Sequence, residues 1–290
     1  MSDPRWSVEG RDWPHRDRSR FVDAGRLRWH VQVWGEGPPL LLLHGTGAAT
    51  HSWRGLAPLL AKRHTVIAPD LPGHGFTVGR PAGGMAMPAV ARAVGGLLRA
   101  MEVAPVAVVG HSAGAAIMAR MVLDGHAAPT SLVGLDAALL PFPGLAARLF
   151  PALARALFVN PFAPHLFARM ARVRGETARF LVRSTGSRID AAGVRAYEAL
   201  LATSGHCAGA LAMMASWDLA ALAHDLPRLA TPLLLLHGDR DAAIPIGSAR
   251  AAAALVGDGR LVPLPGLGHL AHEERPADVA ALIHAFLEER

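Results

Sequence analysis

The sequence predicts an α/β protein with a mostly parallel, twisted sheet that is covered by helices on both faces. Short, continuous apolar segments alternate along the chain with helix-compatible stretches, and unbroken apolar strands are typical of parallel sheets. These segments end at turn residues, and ligands of such sheets bind beyond the carboxyl ends of the strands. The 290 residues, 51% hydrophobic and 18% charged, are enough for one large core.

The predicted elements follow in order from the N-terminus. The alternating segment RFVDAGRLRWHVQVWGEG predicts an antiparallel hairpin that opens the sheet. Apolar strands are predicted at residues 39–45, 64–70, 105–110, 131–136, 232–238 and 259–266. Helices are predicted at residues 52–62, 88–101, 112–124, 247–256 and 276–289.

One long segment interrupts this alternation. Residues 139–219 contain no convincing strand, only helical stretches punctuated by proline, and they hold six of the nine phenylalanines. We expect a helical cap here, inserted into a core formed by residues 1–138 and 220–290. Its phenylalanines can form a small core within the cap. They can also cover an apolar pocket whose edge carries the nine arginines of the cap, and the two arrangements are compatible.

Charge and composition exclude several classes of protein. The formal charge of +6 is carried almost wholly by arginine, since Lys62 is the only lysine. No basic helix with interleaved aromatics and no zinc-finger spacing accompanies it, so we expect no nucleic-acid partner. The apolar runs are far shorter than the roughly 18 residues of a membrane span, and the N-terminus has no secretory signal. We therefore expect a cytoplasmic protein, in which peripheral contact of the basic cap with anionic lipid remains open.

The strongest functional signal is GHSAG at residues 110–114, which fits the G-x-S-x-G nucleophile elbow. Nucleophile, acid and base would then follow in the order Ser112, Asp241 and His269. A serine hydroxyl needs a base within hydrogen-bond reach, so His269 would accept its proton while Asp241 fixes the imidazole tautomer. The backbone N–H groups of Thr46 and Ala113 would receive the developing oxyanion.

Several roles stay open at this point. Asp241 fits a G-x-x-D spacing, but Asp239 is a near neighbour and Asp136 ends the preceding strand, so either of these could also approach the histidine. Ser112 could be an ordinary turn serine, and His269 could be structural. We expect no metal or cofactor. We expect His44, His74 and His111 to form hydrogen bonds to loop backbones beside the site. Asp124, Glu273 and Glu274 are expected to be solvated or helix-capping charges.

The motifs together, spanning residues 40–276, resemble the α/β-hydrolase superfamily, with residues 139–219 as its cap. More narrowly, segments such as EGRDWPHRDRSRFV, GHSAGAAIMARM and GALAMMASWDL resemble the magnesium-chelatase accessory proteins of bacteriochlorophyll synthesis, the BchO type. This resemblance implies an α/β-hydrolase fold and a place at magnesium insertion into protoporphyrin in a photosynthetic bacterium. The hydrolase residues that it carries over are Ser112, Asp241, His269, Thr46 and Ala113.

Two functions are consistent with these observations. The first is a serine hydrolase acting on an apolar ester or thioester, which the intact set of motifs favours. The second is a non-catalytic accessory protein that binds a porphyrin, or presents it to chelatase subunits, which the arginine-rich cap favours. Oxidation through a peracid at Ser112 is a third option without a signal of its own. Candidate substrate contacts are His111, Phe142, Met213 and Trp217.

Overall fold

A computed structural model describes residues 1–141, 160 and 162–290. The nine strands of this part of the chain are β1 Ser19–Ala24, β2 Leu27–Trp34, β3 Pro39–Leu43, β4 Thr65–Pro69, β5 Val78–Gly79, β6 Ala107–His111, β7 Ser131–Leu135, β8 Leu233–Gly238 and β9 Gly259–Leu264. They form one sheet in the order β1-β2-β4-β3-β6-β7-β8-β9, with the two-residue β5 paired to β2.

The pairing of the strands confirms the predicted fold class. β1 and β2 form the expected antiparallel hairpin, in which Ala24 faces Leu27 and Gly25 takes a positive φ of 65° in the turn. β2 is also antiparallel to β4, whereas the pairs from β4 through β3, β6, β7 and β8 to β9 are parallel. The carboxyl ends of the parallel strands therefore meet at one edge of the sheet.

The described helices are α1 Ala57–Leu60, α2 Met87–Ala100, α3 Ala113–Leu123, α4 Ala163–Ala171, α5 Glu176–Thr185, α6 Ala191–Leu201, α7 Ser204–Ala215, α8 Leu219–Asp225, α9 Ile246–Leu255, α10 Ala271–Glu274 and α11 Pro276–Glu288. Four of the five predicted helices agree with this assignment to within one residue at either end. The helix expected over residues 52–62 is instead a 3₁₀ turn, Thr50–Trp53, followed by the short α1. Pro58 has no N–H to donate and is tolerated only in the first turn of α1, so it cannot continue a helix from Ser52.

The core lies on both faces of the sheet because alternate residues of each strand point to opposite sides. In β3, Leu41 and Leu43 join the cluster beneath α2 and α3, while Leu40 and Leu42 join the cluster beneath α11. All four leucines are fully buried. This two-sided burial explains why the strands are continuously apolar.

Between β7 and β8 the described residues form helices α4 to α8 and no strand, as expected for the cap. Phe142 and the arginines at positions 148 and 155 lie outside the described residues. The boundaries of the cap at residues 139 and 219 stay a prediction. Among the helices that the structure describes, none combines the length and the apolar character needed to cross a bilayer.

Candidate active site

Ser112 lies at a strained turn between β6 and α3. Its backbone has a φ of 49° and a ψ of −111°, a conformation that residues other than glycine seldom adopt. The flanking glycines are required by packing, because a Cβ on Gly110 would overlap the backbone of Ala115 and one on Gly114 would overlap the carbonyl of Leu43. The Ser112 side chain makes no capping bond to α3, so its hydroxyl remains for other chemistry.

His269 and Asp241 are joined by a direct hydrogen bond. The His269 Nδ1 atom lies 2.7 Å from Asp241 Oδ2, and their side chains are only 9% and 1% exposed. The other carboxylate oxygen, Oδ1, accepts the N–H groups of Ala243 and Ile244 at 2.7 and 2.9 Å. Asp241 is thus held by its own loop while it orients the imidazole.

The other two candidate acids have different partners. Asp239 accepts the N–H of Gly266 at 2.7 Å, and Asp136 accepts that of Gly238 at 2.8 Å. Burial, followed by the nearby charge of Asp241, raises the pKa of Asp136 well above its usual range, which favours the neutral acid. Of the three carboxylates that the sequence left open, the structure pairs Asp241 with His269.

Asp136, His237 and Asp241 bring one potential metal-ligand atom each to within 4.8 Å of one another. Two members of this cluster, Asp241 and His237, bond to the backbone of the loop that follows β8. Both oxygens of Asp241 already accept hydrogen bonds, and His237 Nε2 lies 3.0 Å from the carbonyl of Ile244, to which it can donate. Burial lowers the pKa of His237, which keeps that imidazole neutral.

Of the two candidate oxyanion donors, Thr46 lies on a loop beside Ser112 and Ala113 directly follows Ser112 in the chain. A Cβ on Gly45 would come within 3.1 Å of Ser112 Cβ, so the loop that carries Thr46 runs directly beside the serine. Neither the Thr46 nor the Ala113 N–H donates to a backbone carbonyl in the described part of the chain. Ala113 is the first residue of α3, where amides have no partner within the helix.

The loop histidines behave as the sequence predicted. His44 Nδ1 lies 2.8 Å from the Gly45 carbonyl and its Nε2 accepts the N–H of Leu71, while His74 Nδ1 lies 3.1 Å from the Pro72 carbonyl. His111 Nε2 lies 2.8 Å from the His269 carbonyl, and the two rings are 4.9 Å apart. His111, the residue directly before Ser112, is thus in contact with the backbone of His269. His111 is buried, and its role as a substrate contact stays a prediction.

The cap contributes contacts that the sequence did not indicate. The carbonyl of Thr185, at the end of α5, accepts the N–H of His269 at 2.8 Å and that of Ala242 at 3.4 Å. Ser187 Oγ accepts the N–H of Leu270 at 2.8 Å. One short segment of the cap therefore holds both the loop of Asp241 and the loop of His269.

A second connection between cap and core is a buried polar cluster around Glu273, where we expected a solvated or capping charge. That expectation is wrong: Glu273 is 9% exposed and forms an ion pair with Arg54. It also accepts hydrogen bonds from Ser52 at 2.6 Å and from Tyr197 of α6 at 2.9 Å. Sequence patterns miss such a cluster because every partner of Glu273 lies more than 70 residues away from it along the chain.

The remaining candidate contacts are apolar. Met213 is fully buried, and its sulfur lies 3.5 Å from Thr46 Oγ1, beside a candidate oxyanion donor. Trp217 is partly buried and packs against the core cluster that contains Met213.

A separate open groove of about 460 Å³ lies between the N-terminus, α4 and α7, and none of the candidate catalytic residues lines it.

Comparisons with known proteins agree with this architecture. Residues 38–276 match a family model described as alpha/beta hydrolase fold. The chain is 39% identical over 279 residues to the magnesium-chelatase 30 kDa subunit of Rhodobacter capsulatus, covering 96% of this chain and 97% of that protein.

Two further similarities extend along most of the chain. It is 30% identical over 264 residues to a pimeloyl-acyl-carrier-protein methyl ester esterase of Aromatoleum aromaticum, covering 85% of this chain and 96% of that protein. The solved structure of an epoxide hydrolase without ligand superposes with a TM-score of 0.80 at 24% identity, covering 93% and 98% of the two chains. At that identity the likeness to the epoxide hydrolase concerns the fold alone.

Proposed function

Because the chain belongs to the α/β-hydrolase fold family, we propose that it is a serine hydrolase acting on an apolar ester or thioester. Ser112 is the nucleophile, His269 the general base and Asp241 the acid that orients it. The observation that carries the proposal is the 2.7 Å hydrogen bond between Asp241 and His269. The carbonyl of His269 in turn lies 2.8 Å from Nε2 of His111, the residue before the strained elbow at Ser112. Residues 139–219 act as the cap over the core.

The proposed reaction follows from these positions. His269 Nε2 accepts the proton of Ser112 as Oγ attacks the carbonyl carbon of the substrate. The N–H groups of Thr46 and Ala113 receive the negative charge on the carbonyl oxygen. The imidazolium, stabilised by Asp241, then returns the proton to the departing alcohol or thiol. Water hydrolyses the acyl-enzyme by the same steps, so the chemistry needs side chains, backbone amides and water only.

The substrate class rests on the surroundings of the site and on the relatives. Met213 lies beside Thr46, and Trp217 belongs to the same apolar surroundings. The esterase of Aromatoleum aromaticum supports ester chemistry. The similarity to the magnesium-chelatase 30 kDa subunit supports a role at the magnesium-chelatase step of bacteriochlorophyll synthesis, in the cytoplasm and with chelatase subunits as partners.

Labelling with a fluorophosphonate probe tests this proposal. We expect the wild type and Ser184→Ala to be labelled, because Ser184 donates to the carbonyl of Phe180 on α5 and takes no part in the proposed reaction. Ser112→Ala should lose the label completely. Absence of labelling in folded wild type, or labelling that persists in Ser112→Ala, would contradict the assignment.

The similarity to the chelatase subunit over nearly the whole chain favours a second candidate function. In this alternative the protein binds a porphyrin and presents it to the chelatase, without using Ser112. Titration of Ser112→Ala with protoporphyrin separates the two: a saturable shift of the Soret band at micromolar ligand, with wild type unlabelled by the probe, supports the binding protein. No saturable change would eliminate it.

A further inference from the structure

Helix α4 has the reverse of the usual amphipathic arrangement. Its small residues Ala163, Pro164 and Ala168 are buried, whereas Leu166 and Met170 are 59% and 48% exposed. A surface helix in water normally turns its large apolar side chains toward the core. The large side chains of α4 are therefore only partly used in packing.

These side chains are part of a stretch of the chain with several exposed large apolar residues, which together we call the outer face. It consists of Phe162, Leu166, Phe167, Met170, Val173 and Phe180, which are 37% to 77% exposed. Residues 162, 166 and 170 recur every four positions and so share one side of the helix. Six of the eleven exposed large hydrophobic residues in the described part of the chain fall within this stretch of 19 residues. Such a concentration marks an interaction surface.

The outer face lies within a strongly basic part of the chain. Residues 162–183 contain five arginines and a single acidic residue, Glu176, which gives a net charge of +4. Glu176 is paired with Arg179 and Arg183. The other three arginines, at positions 169, 172 and 174, are exposed and form no ion pair within the part of the chain that the structure describes.

We propose that the outer face binds the surface of an anionic lipid bilayer. Short amphipathic helices that combine phenylalanine and leucine with arginine lie in the interface, with the apolar side chains among the acyl chains. The arginine stems can extend from there to the lipid phosphates. At nine residues, α4 is about 14 Å long and can lie on a bilayer but not cross it. A partner protein would instead need an acidic group placed against each of these three arginines, whereas the negative charge of a lipid surface is spread over its whole area.

Vesicle flotation tests the proposal with the full chain. The probes are vesicles of phosphatidylcholine alone and vesicles of equal parts phosphatidylcholine and phosphatidylglycerol, each at low and at high salt. We expect wild type to bind the mixed vesicles at low salt and to bind phosphatidylcholine alone about tenfold more weakly or less, because the arginines supply much of the attraction.

Two pairs of variants locate the binding surface. Leu166→Gln with Met170→Gln should weaken binding to the mixed vesicles by about tenfold or more. The control Leu255→Gln, at an exposed leucine on α9, should not. Arg169→Gln with Arg174→Gln should likewise weaken binding by about tenfold, while Arg92→Gln with Arg250→Gln, which removes the same charge elsewhere, should change it little.

Three results would overturn the proposal. One is that wild type fails to float with mixed vesicles. Another is that the control variants weaken binding as much as the variants of the outer face. The third is that Leu166→Gln with Met170→Gln converts a dimer to a monomer while wild type ignores vesicles, which would assign the surface to a second copy of the chain. All three readings are independent of whether Ser112 is reactive.

Discussion

The two sides of the cap use their side chains in opposite ways. On the inner side, Thr185 and Ser187 accept hydrogen bonds from the loops that carry Asp241 and His269, and Tyr197 donates one to the side chain of Glu273. On the outer face, arginine and large apolar side chains point to solvent, and the buried side of α4 is made of alanine and proline. The difference indicates that the inner side is built to hold the site, whereas the outer face is not needed for packing.

The largest effect should come from the acid that the inner side holds. Asp241→Asn removes the charge that orients His269, and we expect the rate of fluorophosphonate labelling to fall by about 10⁴-fold. Asp136→Asn is the matched control: Asp136 belongs to the same polar cluster as Asp241, but burial raises its pKa and so favours the neutral acid. In this variant the rate should change by about threefold at most. Equal losses in the two variants would contradict the assignment of the acid.

The second-largest effect should come from breaking the buried ion pair between Glu273 and Arg54. Glu273→Gln leaves Arg54 without its buried partner, and we expect the free energy of unfolding to fall by about 3 kcal/mol. Glu288→Gln removes the same charge from an ion pair with Arg63 whose side chains are about 60% exposed, and should cost less than about 1 kcal/mol. Denaturant titration of both variants measures the difference, and similar losses would mean that the buried cluster does not tie the cap to the core.

A pH dependence of stability should follow from His206 of α7. It connects cap and core, because its Nδ1 accepts the N–H of Gly75 while its Nε2 lies 3.0 Å from the Gly47 carbonyl. Burial lowers the pKa of His206 to about 4, from an ordinary value of 6.5. Below pH 6.5 the unfolded chain therefore takes up a proton that the folded chain does not accept until about pH 4, so stability falls as the pH falls through this window.

The expected loss from His206 alone is about 2–3 kcal/mol between pH 7 and pH 4.5. Other buried histidines, such as His272 with a pKa lowered to about 3, add to the slope in wild type. His206→Gln should be less stable at pH 7, but its free energy of unfolding should depend less steeply on pH than that of wild type, by about one bound proton. Denaturant titrations at several pH values measure this, and an unchanged slope would show that His206 does not titrate in this window.

The smallest effect is expected on the outer face. Leu166→Gln with Met170→Gln should change the free energy of unfolding by less than about 0.5 kcal/mol per site and leave the labelling of Ser112 intact, because exposed positions contribute little to folding. Thermal melts and the probe measure both quantities. A loss of several kcal/mol would mean that these side chains pack against the protein, and the contrast between the two sides of the cap would disappear.

Much of the fold was predictable because its signals are local. Apolar runs that end at turn residues located the six strands of the parallel part of the sheet, and glycine-flanked Ser112 marked the junction of β6 with α3. The order of the strands was not predictable in this way, since nothing local places β4 between β2 and β3. The short β5 has only two residues, too few for any pattern.

The same distinction between local and long-range signals applies to the candidate site. Ser112 and His269 could be located because each follows a strand within a short motif. The choice among Asp136, Asp239 and Asp241 depends on the direction in which each carboxylate points, which spacing does not determine. The contacts of Thr185, Ser187 and Tyr197 join the cap to loops that lie far away in sequence, so only packing reveals them.

The carbonyl oxygen of Thr185 has a consequence for motion of the cap. Because this one oxygen accepts amides from both the loop of Asp241 and the loop of His269, the acid and the base share an anchor that is separate from the elbow. A shift of α5 would carry the two loops in the same direction and preserve the bond between their side chains. His269 is also tied to the elbow, because its carbonyl lies 2.8 Å from Nε2 of His111, so the cap and the residue before Ser112 are linked through the loop of His269.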